Sequence, residues 1–259
     1  MKLHSKIYGN EDSHLIIIHG LFGMSDNWNT LGKRFSDRFT THLVDLRNHG
    51  RSPHHQEFNY DVMSEDILEY MNDHRIEKAI ILGHSLGGKV AMKYSFTYPN
   101  RVKKLIVVDI SPRKYDTTFH KDVIKTLYKM PIENFKTRDE LNMFLCDVFT
   151  DESMRLFLLK NLYRDDKKRF AWRFNIDVLL EKLDNIQDAS FIEGQCDIPV
   201  CFFRGGNSNY ITEADELIIQ KHFSDFEVTT INDAGHWIHA EKPTRFFTEV
   251  MNFLLDSES

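Results

Sequence analysis

The sequence holds only three cysteines in 259 residues, Cys146, Cys196 and Cys201. An odd number without ligand-like spacing argues against a disulfide framework or a zinc site and fits reduced, mostly packed thiols. No apolar run approaches the roughly 18 residues that a membrane-spanning helix requires, and Met1 to Tyr8 carries no apolar signal core. A cytoplasmic chain without a membrane partner is the expectation. A basic excess is missing as well, since 33 Lys and Arg stand against 39 Asp and Glu for a net charge of −6. The cations are scattered, so nucleic acid is not an expected partner. Internal repeats and low-complexity linkers are absent too. The length suits one α/β domain with an insertion as well as two small domains.

What is present is organised around Ala79-Ile80-Ile81-Leu82-Gly83-His84-Ser85-Leu86-Gly87-Gly88-Lys89. An apolar run of strand character meets Gly-His-Ser-Leu-Gly and continues into an amphipathic helical segment that stops at Pro99. Strand, tight turn, helix is the order in which a serine is pushed out above a sheet edge. The flanking glycines leave room where neighbouring chain would strike a Cβ. The helix start aims free N–H groups at the same place, which favours negative charge developing there.

Leu15 to Ile18 is a continuous apolar run and reads as a strand buried on both faces, Thr41 to Val44, Leu105 to Val108, Val200 to Phe203 and Glu227 to Ile231 read as further strands, and Leu3, Ser5 and Ile7 are expected on one face of an opening strand. Helical periodicity lies between them, at Val62 to Met71 and Glu213 to His222 and from Pro243 onward. Alternation of this kind predicts an α/β fold with a mostly parallel central sheet covered by helices on both faces. From Ser111 to Gln195 the strand signals give way to helical patterns, including a capping box at Thr137 and Glu140 and a segment from Met154 to Leu162. The expected organisation is a core of residues 1–110 and 196–259 with an all-helical cap at 111–195. Its many aromatic residues, Phe119, Phe135, Phe144, Phe149, Phe157, Phe170, Trp172, Phe174 and Phe191, are expected in part to line a pocket.

A serine hydroxyl is a weak nucleophile until a base takes its proton. Of 13 histidines, His236 follows the last strand on a glycine-containing loop, at the sheet edge where ligands of such folds bind. His239 is expected to cap or pack. An oxyanion needs two preset donors: the Leu86 amide is one candidate, and the loop His19-Gly20-Leu21-Phe22-Gly23 supplies the other at Leu21, with Phe22 next. The acid is less plain. After the strand ending at Phe203 stand Asn207 and Asn209 but no carboxylate, whereas Asp109 ends the preceding strand on the correct edge and reads either as the acid or as a cap opening the insertion.

Taken together, Gly-His-Ser-Leu-Gly-Gly-Lys, His-Gly-Leu-Phe-Gly, Asp-Leu-Arg-Asn-His-Gly-Arg-Ser, Trp172-Arg173-Phe174-Asn175, Gly205-Gly206-Asn207-Ser208 and Gly-His-Trp-Ile-His-Ala-Glu-Lys-Pro resemble the α/β-hydrolase superfamily. More narrowly they are similar to the small bacterial esterases of the YbfF type, over nearly the whole chain. The resemblance implies an α/β-hydrolase fold with a helical cap and serine hydrolysis of small-molecule esters or acyl thioesters, without cofactor or metal. It also implies an acid after the strand that follows the elbow helix, which matches Asp109. Phe22, His84, Trp172 and Trp237 are the candidates for the substrate pocket. A carbon–carbon lyase using Ser85 and His236 as a base pair, or a ligand-binding receptor on a degenerate scaffold, stays open, as does monomer against homodimer. A dehalogenase or epoxide hydrolase is disfavoured because each wants a carboxylate where Ser85 stands.

Overall fold

The computed structural model describes residues 1–116, 118–186 and 194–255. In chain order the elements are β1 (Ser5–Tyr8), β2 (His14–Ile18), α1 (Asn29–Phe35), β3 (Thr40–Val44), α2 (Tyr60–Asp73), β4 (Ala79–His84), α3 (Leu86–Thr97) and β5 (Val102–Val108). The insertion follows with α4 (Thr118–Lys129), α5 (Arg138–Cys146), α6 (Glu152–Leu159), β6 (Leu162–Arg164), β7 (Phe170–Trp172) and α7 (Ile176–Lys182). The chain then returns through β8 (Val200–Gly205), α8 (Glu213–His222), β9 (Phe226–Ile231), α9 (Ile238–Glu241) and α10 (Pro243–Leu255).

Seven strands form one sheet in the order β1-β3-β2-β4-β5-β8-β9. Only β1 runs antiparallel to its neighbour. The apolar runs are continuous because alternate residues serve opposite faces. Ile16, Ile18, Ile81, Leu105, Val107 and Phe202 pack with residues of α2 and α3. Leu15, Ile17, Leu82, Ile106, Val108 and Phe203 pack with Leu31 and Phe35 of α1 and Phe246 and Val250 of α10. The chain leaves β2 for β3 on one side and then crosses back to β4 on the other. A crevice therefore opens between the carboxyl ends of β2 and β4, where strand order reverses.

Two expectations need correction. Leu3 is buried but precedes β1, and Ile7 is exposed on this short edge strand, so the opening segment does not present one apolar face. The insertion is not all helical either: Leu162 pairs with Trp172 and Arg164 with Phe170 in an antiparallel hairpin. Leu162, read as the end of a helical pattern, begins β6, and α6 stops at Leu159. Three-residue strands are too short to show an alternating period. Their turn is held by Asp165, whose carboxylate accepts from the Lys167 and Arg169 amides at 3.0 and 2.8 Å. The capping box at Thr137 and Glu140 is present, and Phe191 lies outside the described residues. Among the described residues, no helix is long and apolar enough to cross a membrane.

Candidate active site

Ser85 is the single residue between β4 and α3, and its backbone sits at φ 52 and ψ −116. That is a strained conformation for a residue with a side chain, and it persists because the surroundings dictate it. A Cβ on Gly83 would lie 2.2 Å from the Gly87 carbonyl oxygen, and one on Gly87 would lie 2.4 Å from that of Ile18. The Ser85 amide donates to the Val108 carbonyl at 3.0 Å, tying the turn to β5.

Asp109 follows β5 directly, and its own amide donates to the Phe203 carbonyl at 2.8 Å. Its carboxylate is fully buried, so it needs donors. Oδ1 accepts from the Gly205 amide at 3.0 Å. Oδ2 takes the Ser208 hydroxyl and, at 2.8 Å, His236 Nδ1. A carboxylate can only accept, so Nδ1–H is the donor, and in the neutral tautomer that this contact selects, Nε2 holds the lone pair. The His236 ring stacks on Tyr210 at 4.0 Å and 23°.

His84 fixes the backbone beneath that ring. Its Nε2–H donates to the His236 carbonyl at 2.9 Å, and burial, with His236 and His239 nearby, holds its pKa well below the ordinary value, so the imidazole stays neutral. His239 packs, as expected, stacking on Trp28 at 4.0 Å and 9°. On the opposite wall His19 holds the loop after β2. Its Nδ1–H donates to the Gly20 carbonyl at 2.8 Å and its Nε2 accepts from the Leu46 amide at 3.0 Å. Within that loop Phe22 has φ 60, and its carbonyl accepts from Asn161 of the insertion at 2.7 Å.

Ser85 lies where two lobes of one cleft meet, and Leu21, His120 and Tyr210 also border both. One lobe runs past Leu86, Lys89, Tyr60 and Tyr115 to Leu183 and Ile186. The other is walled by Phe22, His84, Phe119, Phe157, His236 and Trp237. Leu86 is the first residue of α3, a position whose amide has no acceptor within the helix.

Trp172 is not on either wall, which corrects the expectation for it. It stacks on Phe174 at 5.2 Å, and Phe174 in turn packs on Phe22 at 5.4 Å, while the Asn175 amide donates to the Asn48 carbonyl at 2.9 Å. The Trp-Arg-Phe-Asn stretch thus seats the insertion on core loops. Of the other insertion aromatics, Phe119 and Phe157 line the cleft, whereas Phe135 and Phe144 pack on each other. Asn207 and Asn209 are exposed.

Sequence reasoning missed Ser208, Tyr210, His120 and Lys89. Ser208 and Tyr210 follow a glycine turn, but Ser208 meets Asp109 across 99 positions and Tyr210 meets His236 only in the folded chain. His120, half-buried on α4 with its pKa lowered to about 4, chiefly by loss of solvent, carries no local mark. Among the described residues, no group of three His, Cys, Asp or Glu side chains could hold a metal ion.

A family model described as the alpha/beta hydrolase fold matches residues 13–243. The chain is 31% identical to Esterase YbfF of Escherichia coli (strain K12), over 99% of this chain and 100% of that one. It is 33% identical to the sn-1-specific diacylglycerol lipase ABHD11 of Danio rerio, over 94% of this chain and 79% of the relative. A solved marine microorganism esterase superposes with a TM-score of 0.94 at 38% identity, covering 97% of this chain and 99% of that one. The extent of these matches, falling on a sheet whose elbow serine borders the same cleft as a histidine held by a buried aspartate, makes the chain a member of the α/β-hydrolase fold family.

Proposed function

We propose that the protein hydrolyses carboxylic esters or acyl thioesters of small molecules through an acyl-enzyme at Ser85. The observation that carries this reading is the His236–Asp109 pair standing at the cleft that Ser85 borders. His236 Nε2 takes the Ser85 proton as Oγ attacks the carbonyl carbon, and Asp109 balances the imidazolium that forms. The tetrahedral oxygen settles against the Leu21 and Leu86 amides, donors in place before charge develops. His236 then gives its proton to the departing alcohol or thiol. Water enters, loses a proton to His236 and releases the acid.

The two lobes divide the substrate. His236 borders only the second lobe and must reach the leaving atom, so the alcohol or thiol half belongs there. The acyl half falls to the first lobe, beside Leu86. Residues 111–195 act as a cap over a core of 1–110 and 196–259. Monomer or homodimer, and a cytoplasmic setting, belong to the same proposal; the free thiols of Cys146, Cys196 and Cys201 support a reducing compartment.

The test combines an active-serine phosphonate with a panel of p-nitrophenyl esters and acyl-CoAs. Labelling and turnover are expected, both lost in Ser85→Ala by on the order of 10⁴-fold or more with the folded state intact. Labelling without turnover of any ester would favour the receptor reading instead.

A further inference from the structure

The hairpin of β6 and β7 has one closed edge and one open edge. The Arg173 amide donates to the Asn161 carbonyl at 2.9 Å and the Asp165 amide to that of Arg169 at 2.9 Å, so the bonded pairs are Asn161 with Arg173, Tyr163 with Ala171 and Asp165 with Arg169. Residues between them turn their N–H and C=O groups outward. On the β6 side the Leu162 carbonyl accepts from the Arg138 guanidinium at 3.0 Å. On the β7 side the outward groups belong to Phe170 and Trp172, and among the described residues none of these four groups meets a partner. Both residues are buried, and a buried backbone group without a partner is costly. The Trp172 indole N–H is likewise buried without an acceptor.

That edge borders a groove of about 420 Å³, a volume within the range of ligand clefts. Ile132 and Glu133 border it from the turn before α5, and Asp177 from the first turn of α7. It shares no lining residue with the cleft at Ser85. Of the charged side chains on its lining, Arg169 pairs with Asp165 at 2.8 Å, while Glu133 and Asp177 are exposed and, among the described residues, have no ion-pair partner. His54, also on the lining, donates from Nε2 to the Arg173 carbonyl at 3.0 Å. The groove therefore joins unpaired main-chain groups to uncompensated negative charge.

We propose that the open edge of β7 is a docking site for an extended peptide segment of a partner protein, one whose basic residues flank a short uncharged stretch. Laid beside β7, the segment satisfies the outward groups of Phe170 and Trp172 by main-chain hydrogen bonds. It also extends the hairpin to three strands, where a sheet gains stability of its own. The flanking cations meet Glu133 and Asp177. A second copy of this chain fits less well, because pairing two such edges brings the carboxylates of both copies together.

The test is fluorescence anisotropy with a labelled Lys-Val-Thr-Val-Lys peptide, its Glu-Val-Thr-Val-Glu counterpart, and the first peptide N-methylated at its three central residues. The lysine peptide is expected to bind with a Kd below about 1 mM and at least about tenfold tighter than either of the others. Its affinity should fall by about fivefold when Glu133→Gln and Asp177→Asn are combined, two exposed changes that leave the fold intact. Hydrogen exchange should show the Phe170 and Trp172 amides protected by that peptide in the unmodified protein. No binding at about 1 mM overturns the site, as does a glutamate or N-methylated peptide that binds as well as the first. Protection of the two amides that appears without peptide, as protein concentration rises, would seat a second copy there and overturn the peptide reading.

Discussion

His236 Nδ1 stands 2.8 Å from the Asp109 carboxylate across 127 positions of sequence, while Asn207 and Asn209, on the loop nearer to it in the chain, face solvent. Asp109→Asn is expected to lower kcat by roughly 10²–10⁴ with little change in KM, because the imidazolium formed in the reaction loses its counter-charge. Asn207→Ala and Asn209→Ala should each cost under about tenfold. Steady-state kinetics on one p-nitrophenyl ester decide it. An Asp109→Asn enzyme near full activity, together with a gain in Asn209→Asp, would move the acid to the loop.

Ser208 donates to the same oxygen that receives His236. Removing the hydroxyl leaves the carboxylate less firmly aimed, without removing its charge. Ser208→Ala should therefore lower kcat by about tenfold at nearly constant KM, a charge-assisted hydrogen bond being worth about 1.5–3 kcal/mol. Ser208→Thr, which keeps the donor, should restore most of the loss. If both variants fall equally, the hydroxyl acts through packing and not through Asp109.

Acid should destabilise the fold earlier than carboxylate titration alone implies. His42, His49 and His239 are buried, and burial first, then neighbouring positive groups, pushes each from 6.5 down to about 3. The unfolded chain binds these protons below about 6.5 and the folded chain does not, so stability present above that pH is lost as the pH falls toward 3. Each imidazole is worth about 2 kcal/mol at about pH 5 relative to neutral. Urea midpoints measured from about pH 7.5 down to 5 should drop steadily. A flat profile would show that these rings accept protons in place.

Leu183 and Ile186 line the lobe proposed for the acyl half, so neutral chains should be read by length. Across p-nitrophenyl esters from acetyl to octanoyl, kcat/KM should spread by at least about tenfold, since one methylene in an apolar pocket is worth about 1–3 kcal/mol. An even response along the series would mean that the chain does not enter this lobe.

Much of the architecture is legible because buried parallel strands leave continuous apolar runs, as Leu15 to Ile18 and Leu105 to Val108 do. The elbow is legible because only glycine fits at Gly83 and Gly87. Asp109 could be named from its place at a strand end. What escaped has no local period: the hairpin of β6 and β7 has three residues per strand, and Trp172, next to a recognisable motif, points its stacking at Phe174 instead of the cleft. Lys89 escaped for the opposite reason. A charged residue on an amphipathic helix looks like its solvated face, and only the fold reveals that α3 has no such face at this position.

The amide of Ser85 is tied to β5, and Asp109 directly follows that strand, so the proposed nucleophile and acid both lie in sequence made before β8. A polypeptide grows from its N-terminus and folds as it emerges. On the ribosome the parts of the proposed centre are therefore made in sequence: Ser85 and Asp109 first, then the whole insertion, then the Gly205 amide and Ser208 that hold the carboxylate. His236 is made after all of them, so on the proposed mechanism the growing chain has no proton carrier for Ser85 until that loop is made.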